Sequence, residues 1–356
     1  MRQKRIRKLL ALLGAAVLAV CAFAGCGGAE TEENVLYVYN YGEYLDPETI
    51  DLFEEEYGVR VVYDEFETNE VMYPKVSAHN GQYDVVCASD YMIKKLILND
   101  LIQPLDWEEL PTAKENTGEV YLEMSEGFDP GNQYAVPYTW GTVGILYDPE
   151  MTGEEIDSWE VLWDPKYTDD ILMQDSVRDL FGVALKYLGY SLNTTDIGEL
   201  EEARDLLIAQ KPIVQAYIMD EVRDKMIAGE SAIGVIYSGE AEEALEGNEN
   251  LLYVIPKEGT NIWVDSWVVT KESAHRNLAY QWIEFMCRPE IALMNFEYIW
   301  YSTPNVGLLD LLDEETLENE TLFPHLEEYE NLEALDYLGE EAEALYFELW
   351  KEVKSA

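Results

Sequence analysis

The chain has 356 residues, with 72 acidic and 23 basic side chains and a formal net charge of −49 at pH 7. This charge repels the phosphate backbone of nucleic acids and anionic membrane surfaces, which excludes nucleic-acid binding, while the same negative field gathers cations. Hydrophobic residues make up 48% of the chain, which argues against disorder, and the length predicts about two globular domains.

The N-terminus has the features of a bacterial export signal. Five basic residues among the first eight precede an uncharged apolar stretch at 9–24, which is shorter than the ~20 residues needed to span a bilayer. The stretch ends in Phe23-Ala24-Gly25-Cys26, which resembles the lipobox of bacterial lipoproteins. We therefore predict a lipoprotein signal peptide over 1–25, lipidation of Cys26 and a flexible tether over 26–34. An ordinary cleaved signal is the alternative.

The cysteines and histidines do not have the spacing of metal ligands. Cys87 lies in an apolar run and Cys287 at a predicted helix end, so we predict two buried free thiols, with a disulfide between them as the alternative. The three histidines are far apart in the sequence and form no known metal-binding motif. We expect neither a metal site nor a cofactor.

The first predicted elements of the mature chain form a βαβ unit. A strand at 35–39 is followed by a helix that starts at Asp46-Pro47, and the next strand lies at 59–63. A further strand at 83–86 leads into a helix that ends near Leu98. This order places Ser89 and Tyr91 at the carboxyl end of a strand, where open α/β sheets bind their ligands.

A second set of strands and helices follows and predicts a second lobe. It consists of strands at 143–147, 213–217 and 232–237 and helices at 178–188 and 197–209. An extended segment at 262–269 follows, helices at 276–286 and 289–299 would rejoin the first lobe, and 327–348 has the pattern of an amphipathic helix. The extended segment is long enough to cross back to the first lobe, and two crossings imply a cleft between lobes. We predict an α/β chain with 35–141 and 266–315 in lobe 1, and 142–265 and 316–356 in lobe 2.

Several segments, in this order, resemble the spermidine/putrescine-binding proteins of ABC transporters. They include Tyr39-Asn40-Tyr41-Gly42-Glu43-Tyr44, Ser89-Asp90-Tyr91, Pro137-Tyr138-Thr139-Trp140-Gly141, Trp263-Val264-Asp265-Ser266 and Tyr301-Ser302-Thr303-Pro304-Asn305. The resemblance covers nearly the whole mature chain. It implies a two-lobed, periplasmic-binding-protein-like type II fold with a ligand cleft between the lobes.

The same resemblance implies a function. The protein would be the extracytoplasmic substrate-binding component of an ABC importer, anchored to the cell membrane by its lipid. It would be a monomer and not an enzyme, and it would deliver putrescine or spermidine to the permease subunits.

The resemblance also implies which side chains line the cleft. The implied ligand-binding residues are Tyr41, Glu43, Tyr44, Ser89, Tyr91, Ser176, Asp179, Tyr237, Trp263, Asp265 and Tyr301. Asp265 and Asp179 would anchor ammonium groups, with Glu43 as a further candidate, and aromatic rings would cover the methylenes and attract the charges. Ser176 stands where the family commonly has a carboxylate, and Leu335 falls near an expected glutamine. We therefore hypothesise that putrescine binds at least as well as spermidine.

Other interpretations of these residues remain open. Tyr41, Tyr44 and Tyr91 could be core residues at strand ends, and Asp179 could be a first-turn acid that the helix dipole favours. Asp265 lies among apolar residues and is costly to bury without a cationic partner. The same fold could bind another small cationic solute, and a secreted hydrolase with a carboxylate pair is a further alternative. An amino-acid ligand would need a base, and the matched cleft positions contain none.

Overall fold

The computed structural model describes residues 34–356, which form one compact unit. The predicted signal peptide, Cys26 and nearly all of the predicted tether lie outside these residues. The strands are β1 (Val35–Tyr41), β2 (Arg60–Phe66), β3 (Val85–Ser89), β4 (Ala135–Tyr147), β5 (Ile171–Gln174), β6 (Val214–Ile218), β7 (Ile233–Tyr237), β8 (Leu252–Val254) and β9 (Ile262–Val269). Their order in the sheet is β2-β1-β3-β9-β4-β7-β5-β6, and β8 pairs with β4.

Helices separate most of the strands, as the alternating sequence pattern predicts. They are α1 (Pro47–Tyr57), α2 (Asn69–Ala78), α3 (Asp90–Leu98), α4 (Pro111–Asn116), α5 (Glu119–Ser125), α6 (Pro149–Thr152), α7 (Val177–Leu188), α8 (Ile197–Gln210), α9 (Glu221–Ile227), α10 (Ser238–Gly247), α11 (Arg276–Met286), α12 (Pro289–Ile299), α13 (Val306–Leu309), α14 (Glu314–Leu317) and α15 (Glu340–Ser355). Side chains of Asp46, Thr68 and Ser176 accept hydrogen bonds at the starts of α1, α2 and α7, which satisfies backbone donors that have no partner within the helix.

Strand β4 joins the two halves of the sheet. Its first half, Ala135–Thr142, pairs antiparallel with β9, and its second half, Val143–Tyr147, pairs antiparallel with β7. All thirteen residues of β4 are buried, because layers of other residues cover both faces of the strand. The register with β9 shifts between Pro137 and Thr139, so the strand bends just before it passes from one half to the other.

Each half of the sheet has its own hydrophobic core. One half packs around Trp267 and Trp282, with the aromatic rings of Phe53 and Phe285 beside them. In the other half, Trp159 and Phe181 are fully buried. The last helix, α15, packs its buried face of Tyr346, Leu349, Trp350 and Val353 into this second core.

Most of the predicted elements are confirmed. Strand β1 pairs parallel with β2 on either side of α1, which is the predicted βαβ unit, and α11 and α12 have the predicted bounds. The predicted strand at 143–147 is the second half of the longer β4. Both Cys87 and Cys287 are buried and free, which confirms the prediction of two free thiols.

The prediction of an amphipathic helix over 327–348 is confirmed for 340–348, which lie in α15, and is wrong for nearly all of 327–339. Only a short 3-10 helix at Leu326–Glu328 and then α15, which starts at Glu340, are helical in this region. In between, the chain is held by long-range contacts: Glu333 forms a bridge with Asn261 and an ion pair with Lys186. These contacts override the helical propensity of the glutamates in this segment.

In the part of the chain that the structure describes, no helix is long and apolar enough to cross a membrane.

Candidate functional site

The predicted site residues meet where strands of the two halves of the sheet end. Tyr41 ends β1, Ser89 ends β3 and Tyr237 ends β7. Within β9, Asp265 is paired in register with Ser89 on one side and Thr139 on the other. The pairing of the strands therefore brings together side chains that are up to 224 residues apart, counted from Tyr41 to Asp265.

Asp265 is buried and only half satisfied by hydrogen bonds. Its Oδ2 accepts a hydrogen bond of 2.8 Å from the Tyr44 hydroxyl, while its Oδ1 is buried without a partner. The Tyr44 hydroxyl is also 2.7 Å from the Thr139 hydroxyl. Since Tyr44 gives its one proton to Asp265, Thr139 must be the donor in the second bond. One carboxylate oxygen of Asp265 is thus oriented, and the other remains available.

The environment of Asp265 disfavours its negative charge. Burial raises the pKa of this carboxyl to about 6, the nearby hydroxyls of Ser89 and Tyr44 oppose the shift, and the nearby Asp179 adds to it. Neither Asp265 nor Asp179 forms an ion pair with a basic side chain of the described chain. A cation next to Asp265 would relieve both the desolvation and the repulsion between the two acids.

Asp179 is the centre of a second polar cluster, at the start of α7. Its Oδ2 accepts hydrogen bonds from Ser176 at 2.5 Å and from Tyr237 at 2.8 Å, and its Oδ1 accepts one of 3.4 Å from Asn261. Ser176, which stands where the resembled family has an acid, therefore supports Asp179 by donating to it. Only 9% of Asp179 is exposed.

A third polar cluster links Tyr41, Ser89 and Tyr91. The side chain of Asn69, in the first turn of α2, lies within hydrogen-bond distance of all three. The Tyr91 hydroxyl in turn donates to Glu70 at 2.8 Å. This cluster holds the ends of β1 and β3 together.

Aromatic rings form a continuous wall between the polar clusters. The ring centroids of Tyr41 and Tyr44 are 5.2 Å apart, those of Tyr44 and Tyr301 5.5 Å, those of Trp263 and Tyr301 5.2 Å, and those of Tyr237 and Trp263 6.1 Å. All four pairs have an edge-to-face geometry. Tyr301 lies so close to Gly239 that a Cβ at that glycine would be 2.4 Å from the ring. Gly239 therefore lets the wall approach the backbone of α10.

The phenols of this wall remain protonated at neutral pH. Burial raises the pKa of Tyr41, Tyr44, Tyr237 and Tyr301 well above the ordinary value of a tyrosine, and neighbouring acids contribute. The hydroxyls of Tyr44 and Tyr237 are therefore neutral hydrogen-bond donors to Asp265 and Asp179, respectively.

Two residues named in the sequence analysis, Glu43 and Leu335, take no part in these hydrogen-bonded clusters. The side chain of Glu43 is 74% exposed, and its nearest cationic group is that of Arg223, at 4.0 Å. Glu43 thus lies apart from the hydrogen-bonded clusters. Leu335 is buried and lines a small cavity together with Asp179 and Asn261, so an apolar side chain stands beside this carboxylate.

The sequence analysis missed several residues that complete the site. Asn69, Thr139 and Asn261 each hydrogen-bond a predicted ligand residue, and Arg178 places its guanidinium 5.6 Å from the ring centroid of Tyr91. Thr139 lies inside the Pro137–Gly141 segment, so the family resemblance of that segment could have identified it. Asn69 had none, because no element was predicted for α2.

The matched cleft positions contain no base, but one base, Arg178, is buried directly beside them. Its guanidinium donates to the carbonyl oxygens of Asp336 and Leu192 and to the side chain of Asn193. These contacts occupy both terminal nitrogens of Arg178, its buried Nε has no partner, and it forms no ion pair with Asp179. Among residues 34–356, no group of three or more potential metal ligands lies close together.

Comparison with known proteins places this chain in a family. The family model described as "Bacterial extracellular solute-binding protein" matches residues 48–324. The chain is 33% identical over 347 residues to the spermidine/putrescine-binding periplasmic protein of Escherichia coli, and the match covers 97% of each chain.

Two solved structures are similar over 90% of this chain and 99% of their own. A Listeria monocytogenes protein attributed to a spermidine/putrescine ABC transporter is 39% identical with a TM-score of 0.85. A spermidine/putrescine ABC transporter substrate-binding protein from Streptococcus pneumoniae is 41% identical with a TM-score of 0.78. These likenesses confirm the predicted type II periplasmic-binding fold, and the chain belongs to the bacterial extracellular solute-binding protein family.

Proposed function

We propose that this protein is the extracytoplasmic substrate-binding component of an ABC importer and that its ligand is a polyamine. The observation that carries the proposal is the pair of buried carboxylates, Asp265 and Asp179, which have hydroxyl and amide donors but no basic partner. Buried charges in proteins are normally paired. A ligand that carries more than one positive charge supplies the missing partners.

The wall between the carboxylates favours a flexible chain of methylenes over a bare ion. Trp263, Tyr301 and Tyr44 present ring faces and edges along the path from Asp179 to Asp265. Such rings cover apolar surface, and each ring attracts a nearby ammonium by roughly 0.5–2 kcal/mol. Ammonium groups at the carboxylates and methylenes along the rings are the arrangement of a diamine or triamine.

The competing functions fit these contacts less well. An amino-acid ligand would need a base for its carboxylate. Both terminal nitrogens of Arg178, the base beside the site, already donate to Asp336, Leu192 and Asn193, and its buried Nε has no partner. A hydrolase needs an acid and a nucleophile or base aimed at one bond, whereas both oxygens of Asp179 already accept hydrogen bonds, from three side chains in all. We therefore propose binding without catalysis, as family membership also supports.

We further propose the division into lobes and the membrane anchor that the sequence predicts. Lobe 1 would comprise 35–141 and 266–315, and lobe 2 would comprise 142–265 and 316–356. The change of β4 from β9 to β7 after Thr142 supports the first crossing. The pairing of β9 with β3 and β4 favours a return crossing at about Ile262, a few residues before 266, which would place Asp265 on the lobe 1 side. Lipidation at Cys26 would hold a monomer at the membrane beside its permease.

Calorimetric titration of the delipidated protein tests the proposed function. Putrescine and spermidine should bind to one site per chain, whereas glutamate, an anionic amino acid, should not bind. Binding should weaken with increasing salt, because both anchors are charged. A protein that binds neither polyamine but binds an amino acid or a sugar would contradict the proposal.

Preference among polyamines should depend on residue 176. Replacement of Ser176 by Asp adds a carboxylate next to Asp179, which favours a triamine with its additional charge over a diamine. We expect wild type to bind putrescine at least as well as spermidine, and Ser176→Asp to shift the ratio of the two dissociation constants toward spermidine by about three- to tenfold. Competition between the two ligands measures this ratio.

Ser176→Asn is the matched control for this change. It has the same shape as the aspartate and can also cap α7, but it adds no charge. Its ratio of dissociation constants should stay near that of wild type. An equal shift in both variants would show that size and not charge sets the preference.

A further inference from the structure

Asn69 contacts more of the predicted ligand residues than any other residue missed by the sequence analysis. It is the first residue of α2, after the capping residue Thr68, and its side chain is buried. Its Oδ1 is 2.9 Å from the Tyr41 hydroxyl, and its Nδ2 is 3.0 Å from the Ser89 hydroxyl and 3.2 Å from the Tyr91 hydroxyl. These three partners come from β1, β3 and α3.

The direction of these hydrogen bonds follows from the surroundings of Tyr91. Its hydroxyl has one proton and lies 2.8 Å from Oε1 of Glu70, which can only accept. Tyr91 must therefore accept from Asn69, which means that the amide NH2 of Asn69 faces Tyr91 and Ser89. The amide oxygen then faces Tyr41 and accepts its proton.

This orientation closes a ring of hydrogen bonds. Asn69 donates to Ser89, and Tyr41 donates to Asn69, so the remaining bond of 2.8 Å between Ser89 and Tyr41 must have Ser89 as its donor. Every proton in the ring points the same way around it. Hydrogen bonds arranged in this manner polarise and strengthen one another.

The side chain of Ser89 takes part in the ring and does not cap helix α3. It is the N-cap residue of α3, a position where serine usually accepts a hydrogen bond from the helix backbone, yet its side chain makes no capping bond. The ring therefore holds the hydroxyl of Ser89 next to Asp265, its partner in the β3–β9 register, instead of at the helix end.

We infer that Asn69 is a positioning residue for ligand binding: its amide orients Tyr41, Ser89 and Tyr91 through a one-directional ring of hydrogen bonds that is anchored on Glu70. The inference rests on the proposed function, since it assigns Asn69 a role at the polyamine site. Asn69 would act through these three hydroxyls and not through direct contact with the ligand. Without it, each hydroxyl could rotate, and order would have to be restored on binding.

Replacement of Asn69 by Leu, which is similar in size but has no hydrogen-bonding group, tests the inference. We expect Asn69→Leu to weaken putrescine and spermidine binding by about tenfold, which corresponds to the loss of one to two net hydrogen bonds. The same change should cost less than about threefold in a Tyr41→Phe, Ser89→Ala, Tyr91→Phe background, because the three hydroxyls that Asn69 orients are already absent.

Gln210→Leu is the matched control. Gln210 is also a fully buried amide, which donates to the carbonyl of Leu162 in the other half of the protein. Its replacement should lower thermal stability but leave polyamine affinity unchanged. Should Asn69→Leu not fold, Asn69→Ala, which leaves space for water, carries the same comparison.

The outcomes separate this inference from the proposed function. Absence of polyamine binding in wild type would overturn the proposed function and the inference with it. Normal binding in wild type and in Asn69→Leu would overturn the inference alone. An equal loss in the wild-type background and in the background that lacks all three hydroxyls would also overturn it, because the effect would then not pass through these hydroxyls.

Discussion

Replacement of Asp265 by Asn should weaken polyamine binding more than any other single change at the site. The carboxylate is 95% buried, and its Oδ1 has no partner within the protein, so an ammonium group next to it would meet its charge in a nearly dry environment. Loss of one member of such a buried pair costs about 2–5 kcal/mol. The dissociation constant for putrescine should therefore rise by about thirtyfold or more, as titration calorimetry would measure.

Asp129→Asn is the control for this variant. Asp129 is also buried, but it accepts hydrogen bonds from the backbone of Gln133, Tyr134 and Ala135 and makes no contact with the predicted ligand residues. Its replacement should reduce stability and leave the dissociation constant unchanged. An Asp265→Asn protein that binds putrescine as tightly as wild type would refute the role of Asp265 as an anchor.

Polyamine affinity should also fall steeply in mildly acidic solution. The pKa of Asp265 is raised to about 6, chiefly by burial, and a bound ammonium favours the ionised carboxylate and lowers this pKa again. Below pH 6, binding must first remove a proton from the free protein. Affinity should therefore be constant above about pH 7 and should drop by up to tenfold per pH unit as the pH falls below 6.

The Asp265→Asn variant distinguishes this carboxyl from other titrating groups. An amide does not titrate, so the remaining affinity of the variant should change little between pH 5 and pH 7.5. Calorimetry in buffers with different ionisation enthalpies should also detect uptake of a proton by the buffer when wild type binds putrescine near pH 6. A wild-type affinity that is the same at pH 5 and pH 7.5 would contradict the raised pKa.

The expected effects of Asp265→Asn and of pH both concern how ligand binding is coupled to the arrangement of the two halves of the sheet. Asp265 and Tyr44 belong to the half that contains β1, β3 and β9, whereas Asp179 and Tyr237 belong to the half that contains β5 and β7. The two acids are close enough that Asp179 raises the pKa of Asp265. A cation between them converts this repulsion into two attractions, so we expect it to stabilise the closed arrangement.

Local sequence patterns were sufficient to predict most of the secondary structure and the fold class. The alternation of strands and helices, the proline that starts α1 and the apolar faces of α11 and α12 depend on residues near one another in the chain. The candidate site was also largely predictable, but through family resemblance rather than periodicity. Nothing local distinguishes Tyr44 at a ligand site from a tyrosine in the core.

Only the tertiary structure decided which hydrogen-bond and ion-pair partners these residues have. The segment between Glu328 and Glu340 is rich in helix-forming residues, yet its contacts with Asn261 and Lys186 hold it in a non-helical conformation. The amide of Asn69 meets its partners only because β1, β3 and α3 end at the same place. The sequence by itself determined where strands and helices form and which residue types are present. The charge state of Asp265, the direction of the Asn69 hydrogen bonds and the isolation of Glu43 depended on burial and on partners distant in the sequence, because desolvation and hydrogen bonding act between side chains that only folding brings together.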